Sequence, residues 1–348
     1  MNYRLLYLIS ILIFFSACQS PQEEYVCTPC NLECDQLSFA KAGDCPHCNM
    51  KLIKKSELES LQNLVLNEVK IKSVKGAFLI DGGYHQDRQI IVHYYKAKGF
   101  EEDSQVIIVV PGAGRNGADY RDAWIEKAES YNLLVLSLEY SEEYYPDFWN
   151  YNLAGMLSDV VLNEERSAID SFTVNQDPES WLYQDFDRLF ELAKQQLAFR
   201  TEHYDIFGHS AGGQILHRMA IFHPQNKANR ILAANSGWYT LPTSDDIFPL
   251  GLRNIRESVS RLDFSSKLVL FLGELDNASE TRGELRRSPE VDQQGLGRFS
   301  RGLYFYKETH RIASEMNLAY NWTTHIVRGT GHDYKAMSEA AAEYLYGQ

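Results

Sequence analysis

Two short stretches of this chain hold residue types that could do chemistry. Tyr204-Asp-Ile-Phe-Gly-His-Ser-Ala-Gly-Gly-Gln214 sets a serine among glycines, and Cys27-Thr-Pro-Cys30 with Cys45-Pro-His-Cys48 sets thiols in close pairs. A serine hydroxyl is a weak nucleophile until an adjacent base takes its proton, and that base needs a third group to orient it. Gly208-His209-Ser210-Ala211-Gly212 is G-x-S-x-G, the spacing of a sharp strand-to-helix turn with the serine at its tip. A Cβ at Gly208 or Gly212 would clash there. The helix N-terminus would also favour an anion forming at Ser210. The plain alternative is a tight turn that happens to contain a serine.

Partners in the right chain order separate the two readings. On a strand-turn-helix scaffold of this kind the acid follows the serine and the histidine comes last. Asp276 ends the apolar run Leu268–Leu272 plus a short turn, with Glu274 as a rival acid. His332 follows Val327-Arg-Gly-Thr-Gly and opens the last helical stretch. Alone, Asp276 reads as a solvated turn acid and His332 as a helix-start residue; together, at successive strand ends, they complete a set. The loop Pro111-Gly-Ala-Gly-Arg-Asn-Gly117 can turn an amide inward, so the N–H groups of Ala113 and Ala211 are the expected oxyanion donors. That loop lacks both G-x-x-x-x-G-K-[ST] and G-x-G-x-x-G, which excludes a nucleotide site.

The paired thiols pose a different question. Six cysteines occur, and five fall between Cys27 and Cys48; none follows Cys48. C-x2-C, 14 residues and C-x2-C can surround a tetrahedral ion, so Cys27, Cys30, Cys45 and Cys48 are the expected ligands of Zn²⁺ or another soft ion, with Cys34 as an extra. Disulfides Cys27–Cys30 and Cys45–Cys48 compete with that reading. A stretch this short has no core of its own, and a metal would supply its folding energy.

The elements that must position these residues alternate. Gln89–Lys96, Val106–Val110, Leu133–Leu138, Tyr204–Phe207, Arg230–Ala234, Leu268–Leu272 and Thr324–Val327 read as strands, several apolar throughout and therefore buried on both faces. Trp124–Tyr131, Trp181–Phe199, Gln214–Phe222 and Tyr334–Tyr346 read as helices. The pattern predicts an α/β fold with a mostly parallel sheet covered on both sides, and ligand sites at the carboxyl ends of its strands. Ser56-x-x-Glu59 predicts a capped linker helix over 56–68. Ser141 to Ser180, rich in aromatics including Trp149, reads as a lid or as ordinary packing; Trp238 and Tyr239 are candidates for a pocket wall.

With those motifs in view, residues from about 70 to 348 resemble the α/β-hydrolase superfamily, near its polyhydroxybutyrate-depolymerase and feruloyl-esterase members. PGAGRNGADY, FGHSAGGQ, AANSGWYTLP, LFLGELDN and GTGHDYKAM carry the likeness. It implies Ser210 as nucleophile, His332 as base and then acid, Asp276 as its orienting partner, and no cofactor for catalysis. Many members have His-Gly where Pro111-Gly112 stands here. Tyr25, Cys27, Cys45, Pro46, Cys48, Met50 and Leu52 resemble the small heavy-metal-binding domain found beside copper-export proteins, with Cys30 replacing its histidine.

The N-terminus supplies the last expectation. Arg4 precedes the apolar run Leu5–Phe15, which is too short to span a bilayer, and Ser16-Ala17-Cys18 resembles a bacterial lipobox. The division expected is a signal over 1–17, a tether over 18–24 beginning with lipidated Cys18, a cysteine module over 25–55, the linker helix, and a hydrolase domain over 69–348. A nucleic-acid partner needs a basic face, and a net charge of −13 with no Lys/Arg run argues against one. The sequence thus predicts a lipid-anchored serine hydrolase of the cell envelope, acting on a small or polymeric ester. The alternatives are a peptidase of the same fold and a non-enzymatic metal-binding lipoprotein on an inactive scaffold.

Overall fold

Val106–Val110 is apolar at every position because both its faces are covered: Val106, Ile108 and Val110 join one buried cluster, Ile107 and Val109 another. The computed structural model describes residues 23–27, 32–48, 50–164, 169–255 and 261–347. The expected signal, Cys18 and Cys30 lie outside the described residues.

In chain order the elements begin with β1 (Tyr25–Val26), β2 (Ser38–Phe39), β3 (Ile53–Lys54) and α1 (Lys55–Gln62). β4 (Lys75–Gly82), β5 (His85–Lys96) and β6 (Val106–Val110) open the main sheet, followed by α2 (Gly117–Asp122), α3 (Ile125–Tyr131), β7 (Leu134–Glu139) and α4 (Phe148–Tyr151). A hairpin of β8 (Leu157–Leu162) and β9 (Ile169–Val174) leads to α5 (Tyr183–Leu197), β10 (Tyr204–His209), α6 (Ala211–Phe222) and β11 (Ala228–Ala234). The chain ends with β12 (Leu268–Gly273), α7 (Pro289–Asp292), α8 (Arg298–Glu315), β13 (Thr323–Val327) and α9 (Tyr334–Tyr346).

The eight-stranded sheet runs β13-β12-β11-β10-β6-β7-β5-β4. Its six strands from β13 to β7 are parallel; β5 and β4 close one edge antiparallel. Helices α2, α3, α5, α6 and α8 lie in crossovers between parallel strands, and buried apolar clusters lie on both faces of the sheet. Every carboxyl end of the parallel strands therefore opens on one edge.

The linker helix differs from the sequence expectation. α1 begins at Lys55, so Ser56 sits inside its first turn and caps nothing; the N-cap is Lys54, without a side-chain bond. The helix stops at Gln62 because the chain turns to join the sheet, with Leu66 bridging Leu79 and the Asn67 N–H donating to the Leu79 carbonyl at 2.8 Å. Tertiary pairing ends it six residues early. Among the described residues no helix is long and apolar enough to cross a membrane.

Candidate active site and thiol cluster

β10 delivers Ser210 to the carboxyl edge, where the chain must reverse into α6 within one residue. Ser210 takes φ 58° and ψ −112°, a conformation an L residue rarely holds, and it is the N-cap of α6. Its own N–H donates to the Ala234 carbonyl at 2.9 Å, and its carbonyl accepts from the Gln214 N–H at 3.0 Å. The flanking glycines are required by close approach. A Cβ on Gly208 would lie 2.5 Å from the Gly212 carbonyl oxygen, and one on Gly212 would overlap the Val110 carbonyl.

The structure brings the three separated residues together. His332 Nε2 lies 3.1 Å from Ser210 Oγ, and His332 Nδ1 lies 2.7 Å from Asp276 Oδ2. Asp276 is fully buried, and its other oxygen accepts from Arg298 Nη1 at 3.1 Å. A buried carboxylate needs such a partner. Arg298 is itself fixed by the carbonyls of Gly283 and Glu284 at 3.1 and 2.9 Å. The rival Glu274 points elsewhere, to Arg328 and the Gly329 N–H.

The loops that carry Asp276 and His332 are tied at three points the sequence reading did not assign. Asn235 at the end of β11 accepts from the Gly273 N–H at 2.8 Å and donates to the Gly331 carbonyl at 3.1 Å. The His332 N–H donates to Glu280 at 2.8 Å. Arg282, hydrogen-bonded to Glu280, holds that carboxyl well below the usual carboxylate range, so it stays an acceptor. His209 packs against His332, ring centroids 4.5 Å apart, with its Nδ1 3.0 Å from the Tyr120 hydroxyl. Burial, and then the neighbouring His332 and arginines, push its imidazole well below the ordinary histidine value, so it stays neutral. Asn235 carried a signal, a polar residue ending an apolar strand; Arg298, 22 residues past Asp276 in a polar helix start, carried none.

Ala211 is the first residue of α6 and has no carbonyl one turn back to bond. Ala113 sits on the exposed crest of the loop after β6, next to Gly112, whose Cβ position lies 3.4 Å from Ser210 Cβ. The loop is anchored from below: Tyr151 donates to the Pro111 carbonyl at 2.7 Å, while Arg115 donates to the carbonyls of Tyr145 and Asp147. Tyr145 and Tyr151 thus belong to the buried cluster that supports the site. Trp149 is half-buried and packs edge-on against Phe148. Tyr239, expected on a pocket wall, is instead fully buried, stacked on Phe305 at 4.6 Å, because its backbone is held by Gln294. Trp238, the other expected wall residue, is also buried, at 5% exposure, and belongs to the same core cluster.

The N-terminal thiols form a second cluster. One sulfur from each of Cys27, Cys34, Cys45 and Cys48 lies within 4.8 Å of the others, and none of the four is disulfide-bonded. The Cys27 and Cys48 sulfurs are 3.5 Å apart. Four sulfurs each about 2.3 Å from Zn²⁺ would stand about 3.8 Å from one another, so the set fits a tetrahedral ion. Cys34, expected as an extra, is buried in this set. Burial opposes a thiolate at Cys45, but hydrogen bonds from Cys27 and from the backbone at His47 and Cys48 bring it down to about 6. Cys27, buried among the other thiols, is pushed up.

Three solved structures match about four-fifths of the chain. A poly(aspartic acid) hydrolase-1 from Sphingomonas sp. KT-1 matches with TM-score 0.67 and 29% identity over 80% of this chain and 100% of its own. A poly(3-hydroxybutyrate) depolymerase from Bordetella parapertussis matches with TM-score 0.69 and 29% identity over 79% and 91%. The chain has the α/β-hydrolase fold. A siderophore hydrolase from Aspergillus nidulans, 13% identical over 80% and 96% with TM-score 0.50, shares that fold alone. No family model and no curated protein matches the chain.

Proposed function

We propose that this protein is a serine hydrolase that cleaves carboxylic esters through an acyl-enzyme, with Ser210, His332 and Asp276 as its triad. The observation that carries the reading is the unbroken relay from Ser210 Oγ through His332 to Asp276, at 3.1 and 2.7 Å. His332 Nε2 takes the Ser210 proton as Oγ attacks the ester carbonyl, and Asp276 stabilises the imidazolium that results. The amides of Ala113 and Ala211 receive the developing oxyanion. His332 then protonates the departing alcohol, and a water molecule repeats the attack on the acyl-enzyme. Both similar structures are named for polymer hydrolysis, which supports a polymeric or oligomeric substrate. The one named for poly(aspartic acid) favours a second reading, amide-bond cleavage by the same residues.

The thiol set holds Zn²⁺ or another soft ion with Cys34 among its ligands, apart from the reaction. Leu5–Phe15 followed by Cys18 supports export and a lipid anchor in a bacterial envelope. The test is hydrolysis of a short-chain nitrophenyl ester by the protein beside Ser210→Ala. Loss of turnover by orders of magnitude is expected; equal turnover by both proteins rejects the triad.

A further inference from the structure

Two arginines meet on one indole beside this site, and neither has a carboxylate partner among the described residues. Arg218 lies two turns along α6 from Ser210 and is fully buried. Its guanidinium donates to Thr240 Oγ1 at 2.8 Å and to the carbonyls of Asn152 and Gln214 at 3.0 Å each, all neutral groups. Its remaining nitrogen, Nη2, is buried without a partner. Its Cζ sits 4.4 Å from the centre of the Trp238 ring. Arg286 approaches the same ring at 5.8 Å; it is half-buried, and its nearest influence of opposite sign is exposed Glu290 acting through space.

Both residues are placed by elements of the catalytic edge. Trp238 follows β11, the strand next to the one that bears Ser210. Its neighbour Gly237 lies against Gln214, whose N–H bonds the Ser210 carbonyl. Arg286 stands three residues past Gly283, and a Cβ on Gly283 would lie 3.0 Å from His332 Nε2, the atom that faces Ser210. A desolvated cation without a counter-charge is costly. Burial alone brings the Arg218 guanidinium down to about 9. In a chain of net charge −13, with acids available to pair most arginines, these two have no acid partner among the described residues.

We infer that Arg286, over the Trp238 ring that Arg218 also approaches, forms a subsite for a carboxylate carried by the ester substrate. Arg286 makes the contact, the indole fixes its guanidinium plane, and Arg218 supplies a second positive charge that no protein group neutralises. The inference rests on the hydrolase reading for its substrate and names the class that reading left open: acidic esters rather than neutral ones.

Two esters of matched length test it, 4-nitrophenyl butyrate and the 4-nitrophenyl monoester of succinate. The parent protein should favour the succinate ester by at least about tenfold in kcat/KM, and that ratio should fall to about one or below in Arg286→Gln and invert in Arg286→Glu. Monomethyl succinate is titrated calorimetrically into Ser210→Ala with and without Arg286→Gln, and melting curves of each variant establish that it is folded. Turnover of butyrate with no preference for succinate, or a preference that Arg286→Gln leaves intact, overturns the subsite while the esterase stands. Arginine-dependent binding of monomethyl succinate without turnover of either ester keeps the subsite and overturns the esterase. Neither binding nor turnover overturns both.

Discussion

Around Cys45 the buried groups are chiefly thiols; around Val109 they are Ile, Val, Leu and Phe. Among its described residues the N-terminal module has three strands of two residues each, and the buried ones are Val26, Cys27, Cys34, Cys45 and Leu52. The sheet behind Ser210 has eight strands and a buried apolar cluster on each face. A module with so little apolar area cannot offset the entropy of ordering its chain by burial alone. Its four clustered sulfurs, a set that fits a metal ion, are the other source of cohesion it offers. The sheet carries its own apolar core, and at its carboxyl edge the buried polar groups Asp276, Arg298, Asn235 and His209 each have a hydrogen-bond partner.

That contrast predicts that each region can be broken without the other. The largest effect expected is on turnover. Asp276→Asn should lower kcat on a nitrophenyl ester by roughly 10⁴-fold, because the amide forces His332 into the wrong tautomer. Bound zinc, measured by metal analysis of the same preparation, should not change. Next comes Arg298→Met, which leaves the Asp276 carboxylate buried with His332 as its sole remaining side-chain partner. It should cost about 3–5 kcal/mol of unfolding free energy in urea, as the breaking of a buried pair does. A shift well under 1 kcal/mol would show that water replaces the guanidinium.

Cys34→Ser probes the other region. Zinc affinity should fall at least about 100-fold, more than loss of an outer hydrogen-bond partner produces, while the main melting transition of the hydrolase stays in place. Full zinc retention would return Cys30 to the ligand set in its stead. The smallest effect is graded with pH. Burial holds His209 and His217 well below the ordinary histidine value, so both are neutral when folded and can take a proton when unfolded. Their contribution is fully present above about pH 6.5 and is lost progressively as pH falls below it. Urea midpoints taken between pH 8 and pH 5 should decline on the acid side; a flat profile would mean these sites are hydrated.

The serine turn was legible because its geometry is local. Gly208 and Gly212 are needed within two residues of Ser210, so the constraint is written in consecutive letters. Asp276 and His332 were legible for a related reason: strand ends are marked by the apolar runs that precede them, and a parallel sheet sends all those ends to one edge. The cysteine spacing pointed to a thiol cluster in the same way, and three of its four expected members, Cys27, Cys45 and Cys48, stand in the one observed. The partners that set the fine geometry were not legible. Arg298 reaches Asp276 from the start of α8, Asn235 ties two loops from a third strand, and Glu280 holds the His332 amide across 52 positions of chain. Nothing in the letters around Tyr239 distinguished a pocket wall from a core residue, since an aromatic serves both. Cys34 joined the sulfur cluster because a short helical turn over Glu33–Gln36 aims it inward, which spacing alone did not indicate.

By itself, then, the sequence determined which residues could react and on what kind of sheet they would stand, because strand periodicity and turn sterics act over a few residues. The choice of partners belonged to the tertiary structure: which arginine holds the acid, which thiol completes the cluster, and which cations remain without an acid. Those are decided by burial and by contacts between segments far apart in the chain, where the cost of an unpaired charge depends on what the fold places beside it.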